Sequence, residues 1–434
     1  MNKRLTILVS AYAMWGSVEW ILPVCKYLRD NYSNIDIVFL TQRIKHNDLF
    51  KDNHELKGMV EEVSSNRCYD LSDITPIWIK SVSEMFRYLD KKIPGIPFGK
   101  TGNFWFNFNW NIFGKTLLKR WVASIRPDVA LVDSTNGYLL NALNEATVKT
   151  GFYPTATSFA FSPDIYCDNW ASYQTLVTKG YDTFDFYLVD TEWRSDFFKK
   201  IAGENPVFKI GPPRFDTYWM GLYKEKTGQK AGDLMNNAYK RNILILLKNE
   251  SSLVFQYTSF EKALHEIIQA CLTDKDTYIT IKPHPRQNHQ LLDKVLRQYS
   301  QAGITISHDS SFLLINRADI VISMPSGVIL SALIMEKPVI EYFNFSNLNN
   351  VLQSKPDTLS KGMFGGLGCL DSNGSITSIH RKLGLVQPAD KPEELELLIT
   401  KFRNESVLPE VKDIRHLFPD GACKKASEVI LSML

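Results

Sequence analysis

The chain of 434 residues is short of the marks that would assign it to a metalloprotein, a nucleic-acid binder or a membrane-spanning protein. Its six cysteines, Cys25, Cys68, Cys167, Cys271, Cys369 and Cys423, include no C-x-x-C pair, and its eight histidines include no H-x-x-x-H. His284 and His289 stand five apart across a turn, a poor ligand spacing, so no metal site is expected. Cys25 and Cys271 fall in apolar helical patterns and read as core thiols of a reducing compartment. No run of about 18 apolar residues exists, so no transmembrane helix is expected. The start MNKRLTILVS is strand-like and has no cleavage site, unlike a signal peptide. A cytoplasmic protein is expected, free or peripheral on the inner face of the cytoplasmic membrane. The net charge of +3 is too weak to argue for nucleic acid. The glycine fingerprint of dinucleotide-binding loops is missing, as is a nucleotide-loop lysine pattern. No cofactor is expected, and no internal repeat or low-complexity tract occurs.

What the chain does have is ordinary globular composition and a regular alternation of strand and helix patterns. It is 44% hydrophobic and 22% charged, which suits a soluble enzyme. Its length suggests two or three domains. Buried strands are expected at Leu5–Ser10, Ile35–Thr41, Arg126–Asp133, Phe186–Asp190 and Val207–Gly211 in the first half. Further strands are expected at Asn242–Leu247, Thr277–Lys282, Ile304–Ser307, Asp319–Met324 and Val339–Phe343. Residues 42–92 read as polar and mostly helical. Helical patterns between the strands make both halves α/β.

Two stretches carry the chemistry. Thr277–Gln287 is a short strand running into Lys282, Pro283, His284, Pro285 and Arg286, with a helix expected from about Asn288 to Ala302. In a parallel sheet, ligands bind outside the C-terminal ends of strands. Three groups that can carry positive charge at such a point suggest a phosphate or another anion. The prolines stiffen the turn. The second stretch is the strand Asp319–Met324, followed by Pro325, Ser326 and Gly327 and an apolar helix expected through Glu336. Ser326 is placed to cap that helix, and Gly327 lets a ligand approach the backbone. Amides at the helix start would add an anion site without a charged side chain. Taken singly, each feature can be a plain turn or cap. Together they suit a sugar nucleotide.

The pattern KPHPR, followed by D-x-V-I-S-x-P-S-G-x-x-x-x-A-L-x-x-x-K-P-V-I, resembles the C-terminal half of GT-B glycosyltransferases. It is most similar to the bacterial capsule and surface-polysaccharide group: Kdo transferases, sialyltransferases with a His-Pro motif, and CDP-glycerol transferases. Gly211-Pro212-Pro213-Arg214-Phe215-Asp216 resembles the G-x-P-R-x-D segment that precedes the second domain in such proteins. The resemblance covers about residues 208–343. It implies two Rossmann-like α/β domains facing a cleft. The acceptor domain is expected at 1–215, the donor domain at 216–410, and a last helix at 411–434 that returns to the first domain.

The resemblance also implies a set of donor-binding residues: Lys248, Lys282, His284, Pro285, Arg286, Ser323, Ser326, Gly327 and Arg214. Lys248 follows the first strand of the second domain, although a lysine at a strand end is also routine on a surface. Catalysis would fall to His284 and to a carboxylate. Glu19 opens the first helix beside a strand end; the alternative is an acid favoured by the helix dipole. Asp133 ends the strand of R-P-D-x-x-x-x-D, a pattern common in GT-B first domains and in UDP-sugar 2-epimerases. It can serve as a base, as a nucleophile, or only as a cap of the next helix.

The stretch 93–121 is aromatic. Phe104, Trp105, Phe106, Phe108, Trp110 and Phe113 lie between Lys100 and Lys115, Lys119, Arg120. This suits a membrane surface or a lipid-linked acceptor. The alternation of Phe104, Phe106 and Phe108 equally suits a strand or loop packed on the core. The expected function is metal-independent glycosyl transfer from a nucleotide-activated donor to a bacterial surface-polysaccharide or glycolipid acceptor. The His-Pro motif leans towards a CMP-linked sugar, such as Kdo or a sialic-type sugar. The acidic-glycine motif of the sialyltransferases is missing. Two alternatives stand beside it: a UDP-sugar 2-epimerase, and a carbohydrate-binding scaffold without catalysis.

Overall fold

The computed structural model describes residues 4–11, 15–42, 54–78, 80, 81, 85, 88, 98–134, 137–154, 184–228, 241–250, 255, 258–273, 276–285, 287–299, 303–353, 368–371, 373–404, 414, 418 and 420–434. Arg286 lies outside them. The described residues divide into two compact units. Each is built on its own parallel sheet.

The first unit contains β1 (Leu5–Ala11), β2 (Ile35–Thr41), β3 (Cys68–Asp70), β4 (Val129–Val132), β5 (Lys149–Phe152), β6 (Phe186–Val189) and β7 (Val207–Lys209). Their order is β3-β2-β1-β4-β5-β6-β7, with every pair parallel. Central strands such as VALV of β4 are buried along their whole length, because helices cover both faces of a parallel sheet. The helix Trp15–Asn31 follows β1, with Val18, Ile21, Leu22, Val24, Cys25 and Leu28 in the core. β5 and β6 approach closely: Gly151 lies opposite Phe186, and its missing Cβ leaves the space the Phe186 ring fills. The chain returns to this unit at its end. The helix Ala422–Ser432 starts where the Cys423 N–H donates to the Asp216 carboxylate at 2.8 Å.

The second unit contains β8 (Arg241–Leu246), β9 (Thr277–Lys282), β10 (Ile304–Ile306), β11 (Ile320–Ser323), β12 (Val339–Tyr342) and β15 (Gln387–Ala389) in the order β10-β9-β8-β11-β12-β15. A short antiparallel pair, β13 (Gly368–Leu370) and β14 (Ile376–Ser378), stands apart from that sheet. Alternate residues Ile243, Ile245, Ile279, Ile281, Ile320 and Ile322 bury one face of the sheet in a core shared with Leu264, Ile267 and Ile268 of the helix Phe260–Leu272. Strands of period two and helices of period 3.6 meet there as their apolar patterns require.

In both sheets the strand order reverses beside the first strand of the unit: between β1 and β4, and between β8 and β11. Such a reversal opens a crevice at the C-terminal strand ends, because the flanking connections leave to opposite faces. This is a doubly wound, Rossmann-like α/β architecture: the alternating pattern implied α/β, and the resemblance implied the Rossmann-like form.

Several elements differ from the sequence reading. The strands β3, β5, β13, β14 and β15 were not among those expected; they have three residues each, or four in β5, too few to show a period. The aromatic stretch is neither strand nor loop but part of a helix, Phe98–Ile125; its every-other-residue phenylalanines do not reflect a pleat. The helix after β9 is shorter than expected, His289–Leu296, and passes into a 3-10 turn at Arg297–Tyr299. The helix after β11 starts at Ile329 with Val328 as its cap, and ends at Ile334. Ser326 is therefore not the cap. Its carbonyl accepts from the Ile329 N–H at 3.2 Å, and that of Gly327 from the Leu330 N–H at 3.3 Å, so a turn precedes the helix.

Candidate functional site

The strand-order reversal of the second unit gathers the most open chemistry. Lys248 leaves the end of β8, and its ammonium donates to the Pro325 carbonyl at 2.7 Å, beyond the end of β11. The contact therefore bridges the crevice. Burial pushes the Lys248 ammonium down to about 8, while the nearby Glu341 carboxylate pulls it back up. Beside it, the N–H groups of Ser326, Gly327 and Val328 donate to no acceptor among the described residues. Three successive unpaired amides form a concavity suited to an anion. A half-desolvated ammonium and such amides gain from a bound phosphate, which supplies the charge and acceptors that water supplies poorly there.

The turns around this crevice are tied together by the loop after β8. The Glu250 carboxylate accepts from the Gln287 side-chain amide and from the Asn288 N–H, the latter at 3.1 Å. Asn288 in turn caps the helix His289–Leu296, its side chain accepting from the Leu291 N–H. His284 sits in the turn between them, half-buried, with Pro285 exposed next to it. Lys282 has a different partner set. Its buried ammonium donates to the carbonyls of His308 and Asp309 in the turn after β10. Ser323 is fully buried and its hydroxyl donates to the Met324 carbonyl at 2.7 Å.

A network that the sequence reading missed holds the far side. Glu341 is buried near the end of β12 and accepts from Ser378 Oγ at 2.6 Å and Arg381 Nε at 2.9 Å, with His380 Nδ1 at 3.2 Å. Burial alone would raise its carboxyl, but His380, Arg381 and Ser378 together hold it below the usual range. Arg381 also donates to the carbonyls of Glu341, Phe343 and Ala389, and pairs with Asp390. One guanidinium thus ties the ends of β12 and β15. The signal for it was present: a glutamate inside the apolar strand VIEYF has to be paired.

The corresponding edge of the first unit is polar but largely satisfied from within. Asp190 at the end of β6 receives both Arg194 contacts, at 3.0 and 2.9 Å, and the Trp20 indole N–H at 3.4 Å. The Tyr153 hydroxyl donates to the Ser10 carbonyl at 3.0 Å, and the Gln42 amide to Ser10 Oγ. Glu19 lies 3.5 Å from Arg214, which also covers the Phe215 ring. Two residues expected to serve a ligand are here each other's partner. Asp133 follows β4 at 2% exposure, and its charge adds to burial in raising the Tyr153 phenol. The structure thus brings together Lys248, His284, Ser326 and Gly327 on one sheet edge, and Glu19, Arg214 and Asp133 in the other unit.

No protein-family model and no curated protein matches the sequence. Solved structures do match its fold. The UDP-GlcNAc 2-epimerase of Methanocaldococcus jannaschii is similar with a TM-score of 0.57 at 12% identity, covering 99% of each chain. The Neisseria meningitidis UDP-GlcNAc 2-epimerase bound to UDP-GlcNAc is similar with a TM-score of 0.55 at 12% identity, again over 99% of each chain. Phytolacca americana UGT2, complexed with UDP-2fluoro-glucose and pterostilbene, is similar with a TM-score of 0.53 at 10% identity over 99% of each chain. At such identity the likeness shows the fold: two Rossmann-like α/β domains of the GT-B type. Nothing in it singles out the capsule and surface-polysaccharide group.

Proposed function

We propose that the chain is an enzyme acting on a nucleotide-activated sugar, and that the sugar is carried on UDP. The observation that carries this reading is the Lys248 ammonium bridging β8 to the Pro325 carbonyl, next to the amides of residues 326–328, which donate to no acceptor among the described residues. A diphosphate takes hydrogen bonds from the amides and charge from Lys248 and His284, without a metal. Lys282 and Ser323 support the turns from behind. The lean towards a CMP-linked donor gives way to UDP, because the neighbours described above are named for UDP sugars or bound to them.

Epimerisation of the sugar is the reaction we favour, since two of those three neighbours are UDP-GlcNAc 2-epimerases. Inverting a carbon requires a group that removes a proton from one face and a group that returns one to the other. The second reading is glycosyl transfer to a glycan or glycolipid acceptor. It is favoured by the KPHPR and M-P-S-G motifs and by the likeness to the plant transferase.

A thermal-shift panel of UDP, CMP, CDP, GDP and ADP tests the binding half. UDP is expected to raise the melting temperature, because it binds only the folded chain. In Lys248→Met that rise should shrink, corresponding to an affinity lower by roughly 10- to 100-fold for a lost charge-assisted bond. No shift with any nucleotide would leave the scaffold reading in its place. Product analysis then separates the reactions. A new UDP-sugar epimer formed without an acceptor supports epimerisation, and UDP release only with an acceptor supports transfer.

A further inference from the structure

We infer that Glu341 is a positioning residue of the phosphate site: its buried carboxylate is the counter-charge that keeps the Lys248 ammonium charged and held across the strand-order reversal. The inference rests on the nucleotide-sugar reading for its ligand, while the pairing of the two residues stands on the fold of the second unit.

The sheet brings them together. Leu246 of β8 lies beside Ser323 of β11, and Ser323 beside Glu341 of β12. Register partners in a parallel sheet point to one face, and neighbouring strands lie about 4.8 Å apart. Ile243, Ile245, Ile322 and Ile340 fill the core on the opposite face. Glu341 therefore shares its face with Leu246 and Ser323. Lys248 follows Leu246, and its ammonium reaches the carbonyl of Pro325, which follows Ser323. The charge is thus carried off its own strand and over the end of β11, whose other neighbour is β12.

A carboxylate at this position is not needed to hold the strands. Arg381 ties β12 to β15 through the carbonyls of Glu341, Phe343 and Ala389, which any residue at 341 would leave in place. A buried ion pair can often be replaced by packed apolar groups without loss, and the rest of VIEYF is apolar or aromatic. Glu341 is nevertheless fully buried, with Ser378, Arg381 and His380 around its oxygens. Arg381 also meets Asp390, so two carboxylates face one guanidinium, and His380 adds a cation only when protonated. Lys248 supplies positive charge from the side of the crevice. Burial pushes its ammonium down to about 8, and Glu341 is the charge that pulls it back up. The other charged groups near Lys248 are engaged elsewhere. Lys282 of β9 donates to the carbonyls of His308 and Asp309, and Glu250 accepts from Gln287 and Asn288. Without Glu341 the ammonium would give up its proton closer to neutral pH, and with it the charge that a phosphate needs.

The test follows the Lys248 proton in the full chain, without nucleotide. Acetic anhydride attacks only the free amine. The rate at which the Lys248 peptide gains an acetyl group, read by mass spectrometry between about pH 6 and 10, gives the midpoint. The wild type should titrate near 8. In Glu341→Gln the midpoint should fall to roughly 7 or below, the size expected for the loss of a close opposite charge. UDP affinity should then drop about fivefold at about pH 8, and match the wild type near about pH 6, where both ammoniums are charged. His284 is unchanged in both chains, so the difference reports Glu341. Glu341→Gln with Arg381→Gln is the second variant, because it leaves neither charge buried alone. Its midpoint should fall as well. A brace with no electrostatic role predicts lower stability and an unmoved midpoint, and that result in a folded variant would overturn the proposal. Two variants that do not fold would also overturn it, since the cluster would then be a support of the strand ends. The nucleotide reading fails separately: a wild type with the lowered Lys248 midpoint and no response to UDP keeps the counter-charge and loses the nucleotide.

Discussion

The two units share one topology and use their strand ends in opposite ways. Both sheets reverse their strand order beside the first strand, and both carry polar residues at or after the C-terminal ends of their strands. In the first unit those residues largely answer one another: Asp190 with Arg194 and Trp20, Glu19 with Arg214, Tyr153 and Gln42 with Ser10. In the second unit the reversal is left open among the described residues, with Lys248 donating to a carbonyl there and three amides finding no acceptor. A Rossmann-like crevice is thus a place where a ligand can be held, and the side chains decide whether the protein fills it first.

The strongest way to break this comparison is to open the closed edge. Arg194→Met leaves the Asp190 carboxylate buried without its cation, and should lower stability by about 3–5 kcal/mol. Urea unfolding measures it. The comparison predicts that nucleotide affinity, taken at a temperature where the variant is folded, changes little. A variant that keeps its stability but loses UDP would place the working edge in the first unit instead.

A smaller effect tests how tightly the first unit is packed. A Cβ at Gly151 would lie 2.2 Å from the Phe186 ring, which has no room to retreat in the core. Gly151→Ala should therefore cost about 1–3 kcal/mol by overpacking, again read from urea unfolding. A neutral result would mean that β5 and β6 can part more easily than their register suggests.

The smallest effect sharpens the open edge. Lys248 has a folded pKa near 8, below the unfolded value near 10.4. Between the two, the unfolded chain binds more protons, so this residue's destabilising effect is fully present below about 8 and fades as pH rises. A phosphate binds the protonated form. UDP affinity should accordingly weaken by up to about tenfold per pH unit above 8, or about 1.4 kcal/mol, with proton uptake on binding. Calorimetry in two buffers of different ionisation enthalpy reads that uptake. Lys248→Met should remove it; uptake that persists would move the role to another group, His284 first.

Much of the fold was legible because its signals are local. Buried strands such as ILVSA and VALV, helices with caps, and the turns that end them declare themselves within a few residues. Strands β3, β13, β14 and β15 did not, since three residues carry no period; β7 and β10 are equally short but were expected from their apolar runs. The aromatic helix was ambiguous for a related reason: phenylalanines at 104, 106 and 108 imitate a pleat while the flanking chain continues a helix.

By itself the sequence determined that this is an α/β chain with two parallel sheets, and that a cationic turn and a P-S-G turn follow strands of the second. Only the tertiary structure decided which of the charged groups remain open. Lys248 and Lys282 both stand at or beyond the ends of neighbouring strands, yet one reaches across the strand-order reversal and the other is drawn into the turn after β10. Arg214 and Glu19 look equally available until the fold sets them 3.5 Å apart. The reason is physical. A strand's own residues set its period and its burial, but the partner of a side chain at its end depends on which strand lies beside it. That order is fixed by packing between segments far apart in the chain.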